Sequence, residues 1–124
     1  MKIRSAKQKG RKGQREVVDL IKKYLQLSDD DVKSTPASLI GKDILIHPRI
    51  FNDFPYSVEV KRSEQVKIWE WLKQCESNTG TNETSLLVFR RNDSEWYATL
   101  KFENLLSLLY LYNDIRRKYE LFKE

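Results

Sequence analysis

The sequence predicts a compact α/β domain built around a mixed sheet, and three of its features carry that expectation. Two segments of helical periodicity, residues 14–27 and 64–78, flank two short stretches of period-two alternation, residues 43–47 and 56–61. A continuous apolar run, Ser85-Leu86-Leu87-Val88-Phe89, suits a central strand covered on both faces. Polar, proline- or asparagine-marked loops separate these pieces. With 124 residues and 40% hydrophobic content the chain reads as one domain able to bury a modest core.

In order, residues 1–13 form a basic N-terminal arm and residues 14–124 a single domain. The first helix places Val17, Leu20, Ile21 and Tyr24 on one face, with Glu16 at its margin one turn before Leu20. Asp29, Asp30 and Asp31 read as a solvated turn, and Asp31–Ser38 can supply a short strand before Pro36. The loop Pro48–Pro55 carries Arg49 and Asn52, while the solitary His47 is expected to be structural. The second helix aligns Ile68, Trp71, Leu72 and Cys75, leaving Gln74 on the flank. Cys75 is expected to fill core. Arg90 and Arg91 follow the apolar strand, Asn92-Asp93-Ser94 turns the chain, and residues 95–101 form a further strand. The last helix, 103–122, offers a core stripe of Leu105, Leu108, Leu109, Tyr112, Ile115, Tyr119 and Phe122. A second patch, Leu106, Tyr110 and Leu111, suggests a partner subunit.

The chemistry concentrates between Gly41 and Lys61. Side chains two apart on a strand share a face, so Glu59 and Lys61 project together, about 7 Å apart along the strand. If the two strands are neighbours, Asp43 joins them. Two carboxylates suit a hard divalent cation with oxygen ligands, and an adjacent ammonium suits negative charge developing on a phosphate. The spacing alone fits equally a surface Glu-Lys pair with Asp43 in a turn.

Asp43 followed by Glu59-Val60-Lys61 resembles the PD-(D/E)xK nuclease motif. Glu16 on an upstream helix and Gln74, thirteen residues after Lys61, match further pieces of that pattern, and Lys9-Gly10-Arg11-Lys12-Gly13 is similar to the basic opening of archaeal-type Holliday junction resolvases and small phage-encoded nucleases. The likeness spans about residues 9–90. Lys42 stands where the pattern has a loosely kept proline. The resemblance implies a restriction-endonuclease-like core, a central mixed β-sheet flanked by helices. It also implies Mg²⁺, with Mn²⁺ able to substitute, held by Asp43, Glu59 and the Val60 carbonyl, with Lys61 assisting the water and Glu16 and Gln74 completing the site. Ser34, Thr35 and Ser38 become candidates for phosphate contact, although they read equally as ordinary loop hydroxyls.

Charge points the same way. Residues 1–15 carry +7 and the remainder −2, so the net +5 resides in the arm. Lys7, Lys9, Arg11, Lys12 and Arg15, with Ser34 and Arg62, are the candidate nucleic-acid contacts. One Cys and one His cannot build a protein-only zinc site, and no apolar run is long enough to span a membrane, so an intracellular, cytoplasmic protein is expected. The function implied is a Mg-dependent DNA endonuclease acting on branched DNA as a homodimer. Nicking or restriction-like cleavage is the runner-up, and a non-catalytic basic DNA-binding module is the rival from another class.

Overall fold

The computed structural model describes residues 3–36 and 41–123, so Lys2 and Ser38 lie outside it. A single helix, α1 (Ile3–Leu25), takes up most of the expected arm, eleven residues ahead of the predicted start at residue 14. Lys, Arg and Gln are good helix formers, and in the first turns they outweigh Gly10 and Gly13. The helix buries Val17 and Val18, whereas Leu20 and Tyr24, expected on the core face, are exposed. Gln26, in left-handed backbone at φ 55°, ends it.

Strands β1 (Val32–Ser34) and β2 (Ile44–Ile46) form an antiparallel ladder of their own, pairing Val32 with Ile46 and Ser34 with Ile44. Strands β3 (Tyr56–Arg62), β4 (Thr84–Arg90) and β5 (Tyr97–Thr99) form a mixed sheet in that order, β3 parallel to β4 and β4 antiparallel to β5. The two alternating segments are therefore not ladder neighbours, contrary to the conditional expectation. Helix α2 (Ile68–Ser77) provides the crossover that a parallel pair requires. It starts four residues later than predicted, the linker being fastened instead by Ser63 N donating to Arg90 O and Asn92 N to Glu64. Strand β5 is likewise shorter than residues 95–101.

Even-numbered side chains of β3 face the main core, where Val58 and Val60 pack with Val17, Val18, Val32, Ile44, Ile50 and Phe54. Odd-numbered ones face α2, whose buried Trp71 and Cys75 lie on the same side as Leu87. Cys75 fills core as expected. Asp31, by contrast, is no solvated turn residue: its buried carboxylate accepts from Ser28 N at 2.9 Å and Arg49 Nε at 2.7 Å. These bonds hold its pKa down to about 2 and engage the Arg49 Nε. His47 is structural, its Nδ1 accepting from Arg49 N.

Helix α3 (Phe102–Lys123) overturns one expectation: none of its described residues is buried. Leu105, Leu108, Tyr112, Ile115, Tyr119 and Phe122, predicted as core, recur at alternating three- and four-residue spacing along an exposed stripe. Among the described residues, no helix is long and apolar enough to cross a membrane.

Candidate active site

Val60 N–H points away from β4, toward the turn that precedes β2. There the Asp43 carboxylate accepts it at 2.8 Å, so a side chain replaces the missing ladder partner and joins the two sheets. On an extended strand the N–H and C=O of one residue face the same edge, so the Val60 carbonyl also opens toward Asp43. Glu59 stands next along β3, 2% exposed, with Lys61 Nζ 3.3 Å from its Oε1. Its other oxygen, Oε2, is buried with no hydrogen-bond partner among the described residues. The structure thus gathers Asp43, Glu59, the Val60 backbone and Lys61 at one point.

Electrostatics leave this group under-compensated. Burial pushes the Glu59 carboxyl above its ordinary value and the nearby Asp43 charge adds to that, while Lys61 and the Asn78 amide oppose it. Asp43 is also raised, chiefly by burial, against the Val60 N–H and Lys61. A buried and a half-buried carboxylate outweighing one ammonium, with a lone oxygen atom, are a donor set that a hard cation fits. Asp43, Glu59 and the Val60 carbonyl would hold it. No cluster of three or more His, Cys, Asp and Glu side chains exists among the described residues, so the site rests on two acids and backbone.

Two predicted members stand elsewhere. Glu16 meets Arg62 at 3.6 Å, Arg90 at 3.3 Å and Trp96 Nε1 at 3.1 Å. Arg62 leaves β3 on the face opposite Glu59 and Lys61, because alternate strand residues do. Glu16 therefore anchors α1 to the far face of the sheet. Gln74 is exposed on α2, and its side chain makes no hydrogen bond among the described residues, because Trp71 and Cys75 turn that helix face to the sheet. One turn on, Asn78 donates to Gly41 O at 3.4 Å, and its amide opposes the rise of the Glu59 pKa.

The basic residues divide too. Lys9 lies 3.9 Å from Glu64, and Arg62 and Arg90 are engaged by Glu16. Lys12 and Arg15 are exposed, and Ser34 is half-buried in β1. Lys7, Gly10, Arg11 and Gln14, on one face of α1, line a cavity of about 300 Å³ together with Thr35, Pro36, Gly41, Lys42 and Asp43. Lys7, Arg11 and Gln14 are thus the α1 side chains that share a cavity with Asp43. The signal was available: 7, 10, 11 and 14 follow helical spacing, once the helix is extended toward residue 3. Thr35 N and Oγ1 fix the turn through Asp43 O and Lys42 O, and Lys42 Nζ pairs with Glu83, which also accepts from Gly80 N.

No curated protein and no solved structure matches this chain. A family model does, over residues 5–123, and its description is "Phage putative PDDEXK endonuclease". The α/β architecture and mixed sheet agree with the restriction-endonuclease-like fold of such enzymes. A match across nearly the whole chain, on a structure that brings Asp43, Glu59 and Lys61 of the motif together, establishes that the chain belongs to this phage family of the PD-(D/E)xK nuclease superfamily.

Proposed function

We propose that the protein is a Mg²⁺-dependent DNA endonuclease, Mn²⁺ substituting, and that its substrate is branched DNA. The observation that carries the chemistry is the buried, unpartnered Glu59 Oε2 beside Asp43, both carboxyls pushed up in the absence of a cation. When bound, the cation lowers the pKa of a ligated water and offsets charge on the attacked phosphate. Lys61, held by Glu59, orients the attacking water and neutralises charge building on the phosphoryl oxygens. Asp43 is oriented by Val60 N–H, Glu59 by Asn78 and Lys61, and Glu16 sets the position of α1. The substrate strand lies along the Lys7–Gln14 face.

Two symmetric cuts at a four-way junction need two such sites, and an isologous homodimer supplies the second. The wholly exposed apolar stripe of α3 is the surface that supports this assembly. Incubating the protein with junction, duplex and single-stranded DNA, with and without Mg²⁺, tests the reading. Cleavage confined to the junction with Mg²⁺ is expected. Asp43→Asn, Glu59→Gln and Lys61→Ala should each lower the rate by roughly 100-fold or more while junction binding persists. Release of nicked rather than linear product from a cruciform plasmid would favour a nicking enzyme. Binding with no cleavage under any divalent ion would leave a basic DNA-binding module.

A further inference from the structure

Gly10 and Gly13 sit in the interior of the same helix, where glycine is destabilising relative to alanine. Gly13 has a reason within the chain: a Cβ there would stand 3.3 Å from the Trp96 ring and 3.6 Å from Arg62 Cβ. Gly10 has none, since among the described residues nothing lies within 4 Å of where its Cβ would be. It is nevertheless half-buried, on the wall of the cavity that ends at Asp43. Lys7 and Arg11 flank it one turn apart and form no ion pair among the described residues, unlike Lys9, Lys42 and Arg62. Two uncommitted cations, the Gln14 amide and a bare stretch of helix therefore face one space of about 300 Å³. That space is large enough for one sugar-phosphate unit of a strand.

We infer that Gly10 opens a seat for the phosphodiester adjacent to the scissile one, gripped by Lys7, Arg11 and Gln14. The absent side chain lets the backbone of a DNA strand approach the helix closely, and the two cations neutralise its phosphate. The inference rests on the nuclease reading for which phosphate is cut, but not for the presence of the seat.

The test pairs stability with binding. Gly10→Ala should raise Tm, because helix propensity improves and no contact is lost. It should also weaken metal-free binding of a fluorescent single-stranded oligonucleotide, and raise KM for cleavage, by about tenfold. Gly13→Ala, in contrast, should lower Tm. A methylphosphonate replacing the one phosphate next to the cut site should cost wild type a similar factor and cost the Lys7→Gln, Arg11→Gln variant nothing. A fall in Tm for Gly10→Ala would show that the glycine serves packing, and unchanged binding and KM would show that the seat is empty of DNA; either overturns the inference. If Gly10→Ala loses binding while neither protein cleaves with any divalent ion, the seat stands and the nuclease reading falls.

Discussion

At the scale of single residues, Glu59 does two opposed things. Its burial next to Asp43 makes the charged form costly in the folded state, yet the charged form is what would hold a cation. A carboxyl whose folded pKa lies above its unfolded one favours folding most below the unfolded value, about 4.3, and that contribution is lost as pH rises through the raised folded value. Glu59→Gln removes the buried charge while keeping the shape. In metal-free protein near neutral pH its Tm should therefore exceed wild type by a few degrees, and the advantage should vanish below about pH 4. Adding Mg²⁺ should narrow the gap by stabilising wild type alone. A variant less stable than wild type at neutral pH would mean that the Lys61 pair outweighs the burial cost. Asp31 is the contrasting case, with a pKa held near 2 by three donors and a purely structural role, since it ties the end of α1 to the turn after β2.

At the scale of elements, α1 is one rigid ruler. Its C-terminal half is fixed by Val17 and Val18 in the core and by the ion pairs of Glu16 on the far face, and its N-terminal half carries the basic face past Asp43. The predicted free arm would give salt-sensitive affinity without register; a helix gives both. Replacing Lys7 and Arg11 with Gln should reduce the slope of log affinity against log salt by about 1.5, near the value for two phosphates. Replacing the exposed Lys12 and Arg15 should change affinity less at a given salt. Titration of a labelled junction across salt concentrations reads both, and equal effects from the two pairs would argue for a diffuse basic surface. The β1–β2 hairpin is the complementary element. Asp43, just ahead of β2, is pinned by Val60 N–H, so two small sheets act as one support.

At the scale of the molecule, α3 is the open question that the fold poses. A helix with exposed Leu105, Leu108, Tyr112, Ile115, Tyr119 and Phe122 at coiled-coil spacing presents an apolar seam of the kind that a partner helix covers. The proposed cover is the same helix of a second copy. Sedimentation should find a dimer, and Leu108→Glu with Ile115→Lys should convert it to a monomer. The monomer should still nick DNA with Mg²⁺ but no longer make paired cuts. A wild-type monomer at all practical concentrations would remove the dimer and with it the symmetric resolution of junctions.

Alternation within Tyr56–Lys61 was enough to put Glu59 and Lys61 on one face, because strand geometry permits nothing else. The order and spacing of Asp43, Glu59-Val60-Lys61, Glu16 and Gln74, with the basic opening segment, carried the resemblance to the family. The order of helices and strands was legible for the same local reason, and the weakly marked strand after Asp31 is present. What depended on the assembled structure was every relation between elements. The basic opening segment looks like a tail because its charge hides the helical face of Lys7, Gly10, Arg11 and Gln14, which only Asp43 and its neighbours opposite reveal. Glu16 has the residue type of a ligand, but Arg62, Arg90 and Trp96, each remote in sequence, claim it on the wrong face of the sheet. Gln74 and Asn78 differ by one helical turn, and which of them turns toward the Gly41–Asp43 segment is set by how Trp71 and Cys75 seat α2. Sequence periodicity determines which way a side chain leaves its own backbone, whereas the partner it meets is decided by packing across the sheet.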